Sequence, residues 1–170
     1  MIHLHMWQRS NLWCCMNLQK LMEVTKDGEQ WEQISKYPNY YVSSEGRVYS
    51  DYEKRILKGE YNSRGYHLVE LRNDQTPKGK HGKKYRVSHL VAAAFCSKYA
   101  KGKHVHHINR KRSDDRAVNL LPCTPEEHRT IHALYNTLFR NIPLLAELLT
   151  PVIHVNINLL FDDMKGGDVA

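Results

Sequence analysis

Cysteine is scarce in this chain. Its 170 residues include four, Cys14, Cys15, Cys96 and Cys123, and no two form a C-x-x-C pair. The spacing does not suit a disulfide framework, so a reducing compartment is expected. Adjacent Cys14 and Cys15 could not comfortably chelate one metal. Long uninterrupted apolar runs are also missing. The most apolar stretch, 142–161, is broken by Pro143, Glu147, Pro151, His154, Asn156 and Asn158, which a bilayer would penalise. No membrane span is expected. The N-terminus lacks a charged segment followed by a clean apolar one, so no secretory leader is expected either. Acidic charge is in short supply: Lys+Arg number 25 against Asp+Glu 18, a formal net charge of +7. That balance suggests a polyanionic partner, nucleic acid first and an anionic membrane surface second.

What the chain does have is a change of texture near residue 30. Residues 1–25 show no clear periodicity and read as an extension. From there W-E-Q-I-S-K-Y-P-N-Y-Y-V-S-S-E-G-R-V-Y-S, residues 31–50, alternates aromatic and β-branched residues with polar ones. The spacing predicts a hairpin of 40–43 with 47–50, turned by S-S-E-G. Further strands are expected at 56–57 and 66–71, with a loop over 73–84. Residues 85–94 read as a strand end running into a helix that turns Leu90, Val91, Ala94 and Phe95 inward. Between Glu53 and Leu90 ten basic residues stand against four acidic ones, with tyrosines 61, 66 and 85 interleaved. Basic side chains at such density can neutralise phosphates. Arg47, Lys54, Arg55, Lys58 and Arg64 are the candidate contacts. The segment 133–170 reverses the balance, with two basic residues against four acidic ones. It is expected to hold a short helix at 144–149 and a strand in V-N-I-N-L-L-F, and to dock on its own domain or on a second subunit.

The chemistry concentrates in V-H-H-I-N, residues 105–109. Neighbouring strand residues point to opposite faces, so His106 and His107 serve different purposes. Downstream, Thr124, Pro125 and Glu127 make an N-cap, a first-turn proline and a T-x-x-E capping box, so a helix starts at Pro125. His128 and His132, four apart, share one face of it. Three histidines from separate elements could hold one divalent ion with a position left open. The fourth, aimed away, would be free as a base. A metal clamp plus a base is what phosphodiester hydrolysis needs. Arg110, Lys111 and Arg112, in the intervening loop, could grip the cleaved strand. His104 is left outside the set, and His3, His5, His67, His81 and His154 are expected to be ordinary histidines.

H-H-I-N, then N-L, then E-H-x-x-x-H resembles the HNH endonuclease family, whose nuclease core is a ββα-metal (His-Me finger) unit. The match runs from about Tyr85 to His132. The resemblance implies His107 as general base, His106, His128 and His132 as ligands of one divalent ion, and Asn119 as the middle asparagine that braces the loop or orients the site and in some members helps bind the metal. It implies a DNA hydrolase leaving 5′-phosphate and 3′-hydroxyl ends. Residues 31–50 resemble the NUMOD-type module found ahead of HNH domains in phage and intron homing endonucleases. Ser88 and His89 stand where that family has a His-Arg pair. The family's zinc-knuckle cysteine pairs are absent, which leaves Cys123 a packing role.

The expected architecture is therefore α+β. It comprises an extension (1–25), a β-rich DNA-binding module (26–84), an HNH core (85–135) and a tail (136–170) that docks or makes a homo-oligomer. By ligand type the ion would be Zn2+ or Ni2+, with Mg2+ or Mn2+ possible at a phosphate-bound site. The expected partner is DNA and the expected location the cytoplasm of a bacterial host, the protein being phage-encoded. The rival expectations are a non-cleaving DNA-binding protein that keeps a structural zinc and an RNA-directed or structural basic protein.

Overall fold

The computed structural model describes residues 13–73, 75–77 and 80–139. The expected tail elements, at 144–149 and in V-N-I-N-L-L-F, lie outside these residues, as does the expected role of the tail in oligomerisation.

Alternating aromatic and β-branched residues give an antiparallel four-stranded sheet in the order β1 (Trp31–Gln33), β2 (Tyr40–Ser43), β3 (Val48–Ser50), β4 (Arg55–Ile56). The expected hairpin is present, with Tyr40 opposite Ser50, Tyr41 opposite Tyr49 and Val42 opposite Val48. Its turn closes as S-S-E-G requires. Gly46 takes φ +76°, which glycine adopts without steric cost, and the Arg47 amide donates to Ser43 Oγ at 3.0 Å. A second antiparallel sheet follows: β5 (Glu60–Tyr61), β6 (His67–Leu71) and β7 (Lys83–Arg86). The third is the two-stranded pair β8 (His104–His107) and β9 (Leu120–Cys123).

Two helical expectations need correction. A helix, α1 (Trp13–Val24), occupies much of the N-terminal extension. Its first turn carries no acidic residue to mark its start, and tertiary contacts fix its end. Leu21 is buried, Thr25 Oγ1 donates to the Leu21 carbonyl at 2.7 Å, and Arg47 reaches the Val24 carbonyl at 2.7 Å. The second helix, α2 (Val87–Phe95), grows directly out of β7 and buries Val87, Ser88, Val91 and Ala92, while Ala94 is exposed. Three consecutive alanines give no sign of which faces in. The strand that leads into the helix sets the phase, and the i, i+4 pairs 87/91 and 88/92 follow.

Helix α2 is the common support, packing on β2, β6, β7, β8 and β9. One apolar cluster joins Tyr40, Val42 and Val48 of the first sheet, with Tyr37 from the connection before β2, to Val69 and Leu71 of the second. It continues through Val87, Val91 and Ala92 to Val105 and Leu120 of the third. The expected boundary at 84/85 falls inside β7. The β-rich part and the histidine-bearing part thus share a core, which holds their facing surfaces in fixed register.

The last element is α3 (Pro125–Phe139). Its capping box is reciprocal: Glu127 N–H donates to Thr124 Oγ1 at 3.1 Å, and Thr124 N–H donates to Glu127 Oε2 at 2.7 Å. Two helix-end donors are thereby satisfied. Glu126 and Glu127 also place negative charge in the first turn, the favourable end of the helix dipole. The inward stripe is His128, Ile131, His132 and Tyr135, at helical spacing. Ile131 is fully buried, and burying a side chain of that size contributes about 2 kcal/mol. Ile131 and Tyr135 anchor the face that carries the two histidines onto β8.

Candidate metal and nucleic acid site

Strand alternation separates the two adjacent histidines as expected. His106 looks toward α3. Its ring centroid lies 5.3 Å from that of His128 and 5.0 Å from that of His132, and the last two are 4.6 Å apart. One ligand nitrogen from each of the three lies within 4.8 Å of the others. Three convergent imidazoles are a donor set that fits a divalent ion of borderline softness, with room for a further ligand. His128 is pushed down to about 4 by burial first and then by neighbouring His132, His104 and His107. Burial, followed by Arg110 and Arg112, also lowers His132. Both rings are therefore neutral near pH 7, with lone pairs available to a cation. His104 lies on the same face of β8, its ring 5.2 Å from that of His128, but it is not part of the convergent triad.

His107 faces the other way. It is 5 % exposed, and its Nε2 sits 3.0 Å from Oδ1 of Asp115, itself 4 % exposed. The Tyr66 ring lies 5.9 Å away. Asn119, also buried, ties down the loop between β8 and β9 by three hydrogen bonds. Its Oδ1 accepts from Asn109 N–H at 2.9 Å, and its Nδ2 donates to Asn109 Oδ1 at 3.0 Å and to the Asp114 carbonyl at 2.7 Å.

The basic candidates divide into groups. Arg64, Arg110, Lys111 and Arg112 line one open cleft of 540 Å³ together with His106, His107, His128 and His132. Arg110 lies over the Tyr135 ring and Arg112 over the Tyr66 ring, at 5.6 and 5.2 Å. Arg112 also donates to the Arg64 carbonyl at 3.0 Å. Arg55 and Lys58 line a different groove of 930 Å³ beside the first sheet. Lys54 pairs with Asp51 at 2.7 Å, and Arg55 pairs with Glu53. Arg47 is committed inward. It pairs with the buried carboxylate of Glu29, donates to the Val24 carbonyl and lies 5.4 Å over the Trp31 ring. Its position is that of a structural clamp between α1 and the first sheet.

Sequence reasoning missed Asp115, His67, Tyr66 and Arg86 as neighbours of the site. Arg86 lies 4.3 Å over the same Tyr66 ring that Arg112 covers. His67, taken as ordinary, places Nδ1 3.8 Å from Asp115 Oδ2. The doublet Asp114-Asp115 in a charged loop was the available signal, but which acid turns inward depends on the loop's bracing. Cys123 is buried, and burial first of all raises its thiol to about 11, as suits an inert packing residue. Ser88 is buried, and His89 Nδ1 pairs with the Tyr99 hydroxyl at 3.0 Å.

With this geometry in place, comparison with known proteins is informative. Residues 29–72 match the NUMOD4 motif. The DNA endonuclease I-HmuI of Bacillus phage SP01 is 35% identical over 92 residues, covering 54% of this chain and 50% of that protein. An uncharacterized HNH endonuclease, L245 of Acanthamoeba polyphaga mimivirus, is 27% identical over 94 residues, covering 55% of this chain and 27% of that one. The chain thus spans half or less of the length of these relatives. A solved structure described as DNA binding and cleavage by the HNH homing endonuclease I-HmuI matches with a TM-score of 0.58 and 29% identity, over 69% of this chain and 66% of that one. In sequence and in fold the chain is thus similar to an HNH homing endonuclease, and the residues that match the NUMOD4 motif lie ahead of the histidine-bearing segment.

Proposed function

We propose that this chain is a metal-dependent HNH endonuclease that hydrolyses DNA phosphodiester bonds, leaving 5′-phosphate and 3′-hydroxyl ends. One observation carries the reading. Three imidazoles converge within 4.8 Å, while the next residue of the same strand turns a fourth imidazole, hydrogen-bonded to a buried carboxylate, to the other side. The names of the relatives, DNA endonuclease and HNH endonuclease, support it.

His106, His128 and His132 would hold one divalent ion. Their donor type favours Zn2+ or Ni2+, and Mg2+ or Mn2+ would serve where phosphate oxygens complete the shell. When bound, such an ion supplies Lewis-acid stabilisation to phosphoryl oxygens. His107 acts as general base: its lone-pair nitrogen takes a proton from the attacking water. Asn119 keeps the 109–119 loop, and so the surroundings of His107, in one arrangement. Arg64, Arg110, Lys111 and Arg112 neutralise phosphates along the cleft, and Lys54, Arg55 and Lys58 extend the contact along the β-rich part. Arg47, turned inward, supports that surface instead of touching DNA. Among the described residues no helix is long and apolar enough to cross a membrane. Expression from a phage and action in the host cytoplasm complete the reading.

Supercoiled plasmid incubated with the chain and Mg2+, Mn2+, Ni2+ or Zn2+ provides the test. Nicked or linear product is expected with at least one ion. His107→Ala should abolish cutting and keep the gel shift. Retained DNA binding with no cutting by the wild-type chain under any of the four ions would leave only a DNA-binding protein.

A further inference from the structure

We propose that Asp115 is a positioning residue for His107, held in place by His67 and the 43–46 turn, so that the β-rich part of the chain completes the site. The proposal rests on the nuclease reading above.

His107 Nε2 lies 3.0 Å from Asp115 Oδ1, and both residues are buried. A carboxylate can only accept. The imidazole proton therefore sits on Nε2, and Nδ1 keeps its lone pair. A neutral imidazole without such a partner divides between two tautomers and turns about its ring torsion. Only one tautomer in one orientation presents an acceptor to a given water. Asp115 selects both.

Asp115 must itself be fixed, and residues outside the ββα unit do this. Among the described residues its Oδ2 has no hydrogen-bond partner, and that oxygen faces His67 Nδ1 of β6 at 3.8 Å. The His67 ring cannot turn freely. Its Nε2 is 2.9 Å from the Lys58 carbonyl, which can only accept, and its face stacks on Tyr61 at 5.0 Å. A protonated Nδ1 at 3.8 Å is within ion-pair reach of the carboxylate, and a single water can bridge a neutral one. The backbone is clamped as well. Ala117 N–H donates to the Ser44 carbonyl at 2.8 Å. A side chain at Gly46 would meet the Asp115 carbonyl carbon at 2.9 Å, so the turn sits directly against the loop. Asn119 in turn holds the Asp114 carbonyl. Asp115 is thus gripped between the module's turn, its second sheet and the nuclease loop. Its position between elements of both parts suits a group that aligns the base more than one that merely fills the loop.

The test uses the full chain. Correlation spectra of the 15N-histidine-labelled, metal-free protein at neutral pH should show His107 as the Nε2–H tautomer. Asp115→Asn should lower the plasmid-nicking kcat by at least about tenfold, while KM for DNA changes by less than about twofold. His67→Ala, less deeply buried, should lower kcat in the same direction and also leave DNA affinity unchanged. An Nδ1–H tautomer in a wild-type chain that cuts plasmid overturns the proposal alone. So does a folded Asp115→Asn protein, its circular dichroism unchanged, that cuts at the wild-type rate. A wild-type chain that binds DNA and cuts with none of the four ions overturns the nuclease reading, and the proposal falls with it.

Discussion

Asn119 and Asn109 hold each other across the loop that joins β8 to β9, the Asn119 carboxamide accepting from the Asn109 amide at 2.9 Å and donating to its side-chain oxygen at 3.0 Å. A third bond, to the Asp114 carbonyl at 2.7 Å, uses the remaining donor. Asn119 is buried, while Asn109 is exposed and Asp114 half-buried, so truncation removes three hydrogen bonds whose other ends can turn to water. Asn119→Ala should therefore cost about 2–3 kcal/mol of stability, about 1 kcal/mol for each bond lost. The shift of the urea midpoint measures it. Because Asp115 belongs to the same loop, plasmid cutting by the folded variant should fall too.

The pairing of Arg47 with Glu29 makes a different prediction. Burial alone would raise the Glu29 carboxyl. Hydrogen bonds from Arg47, the Lys26 amide and Ser43 outweigh it and hold the group below its usual range. The Glu29 side chain is fully buried, and that of Arg47 is 22% exposed. Glu29→Ala leaves a guanidinium without its counter-charge, at a cost of about 3 kcal/mol. The same change loosens the Arg47 bond to the Val24 carbonyl and so the seat of α1. Equilibrium unfolding in urea gives the cost. If Glu29→Ala and Arg47→Ala each left the midpoint unchanged, the clamp would be ornamental.

How much of this was legible in the sequence depended on whether the signal was local. The capping box at Thr124 and Glu127, and the four-residue spacing of His128 and His132, are properties of one helix, and the structure bears them out. The hairpin at Tyr40–Ser50 was legible because S-S-E-G demands a turn and alternation fixes the register. Helix α1 was not, because its end is stabilised by Arg47 from another element. The inward face of α2 was mistaken at Ala94, because alanines 92, 93 and 94 are indistinguishable until β7 sets the phase. Asp115 and His67 meet only through the packing of β6 and the 43–46 turn on the loop between β8 and β9. No spacing along the chain announces an encounter between residues 48 positions apart.

Acid stability provides a third measurement. The Arg116 hydrogen bond is the largest influence on Asp114. Against an opposing burial effect, Arg116 and Asn109 hold the carboxyl at about 2, below its usual 3.8. A carboxylate depressed in the folded state contributes stability that is fully present above its unfolded pKa and is lost as pH falls through the folded value. The window is therefore pH 4 down to pH 2. Solvent screening at this partly open site limits the contribution to roughly 1 kcal/mol. Asp114→Asn should be less stable than wild type at pH 5, and the gap should narrow by pH 2. Urea midpoints of the two proteins at both pH values give the difference, and a gap constant with pH would contradict the assignment.

Metal affinity distinguishes the three converging histidines from the fourth on the same face. The metal-free chain should bind one equivalent of Zn2+ in calorimetric titration at pH 7. The depressed pKa of His128, about 4, means that protons compete little for that ring at this pH. His106→Ala, His128→Ala or His132→Ala each removes one of three imidazole ligands and should weaken binding by more than about tenfold. A vacated ligand position costs at least as much as loss of the outer-shell partner of a ligand. His104→Ala is the control. Its ring lies 5.2 Å from that of His128, near enough to replace a ligand if the strand shifted, yet it stands outside the triad. Its affinity should match wild type. Zn2+ at 100 times its dissociation constant should also stabilise the wild-type chain by about 2.7 kcal/mol through mass action, and a chelator should reverse the gain. Weakening by His104→Ala with none by His132→Ala would mean that the ion sits one turn nearer the start of α3, between His104, His106 and His128. The base and its carboxylate partner on the far side of β8 would then have to serve a differently placed phosphate.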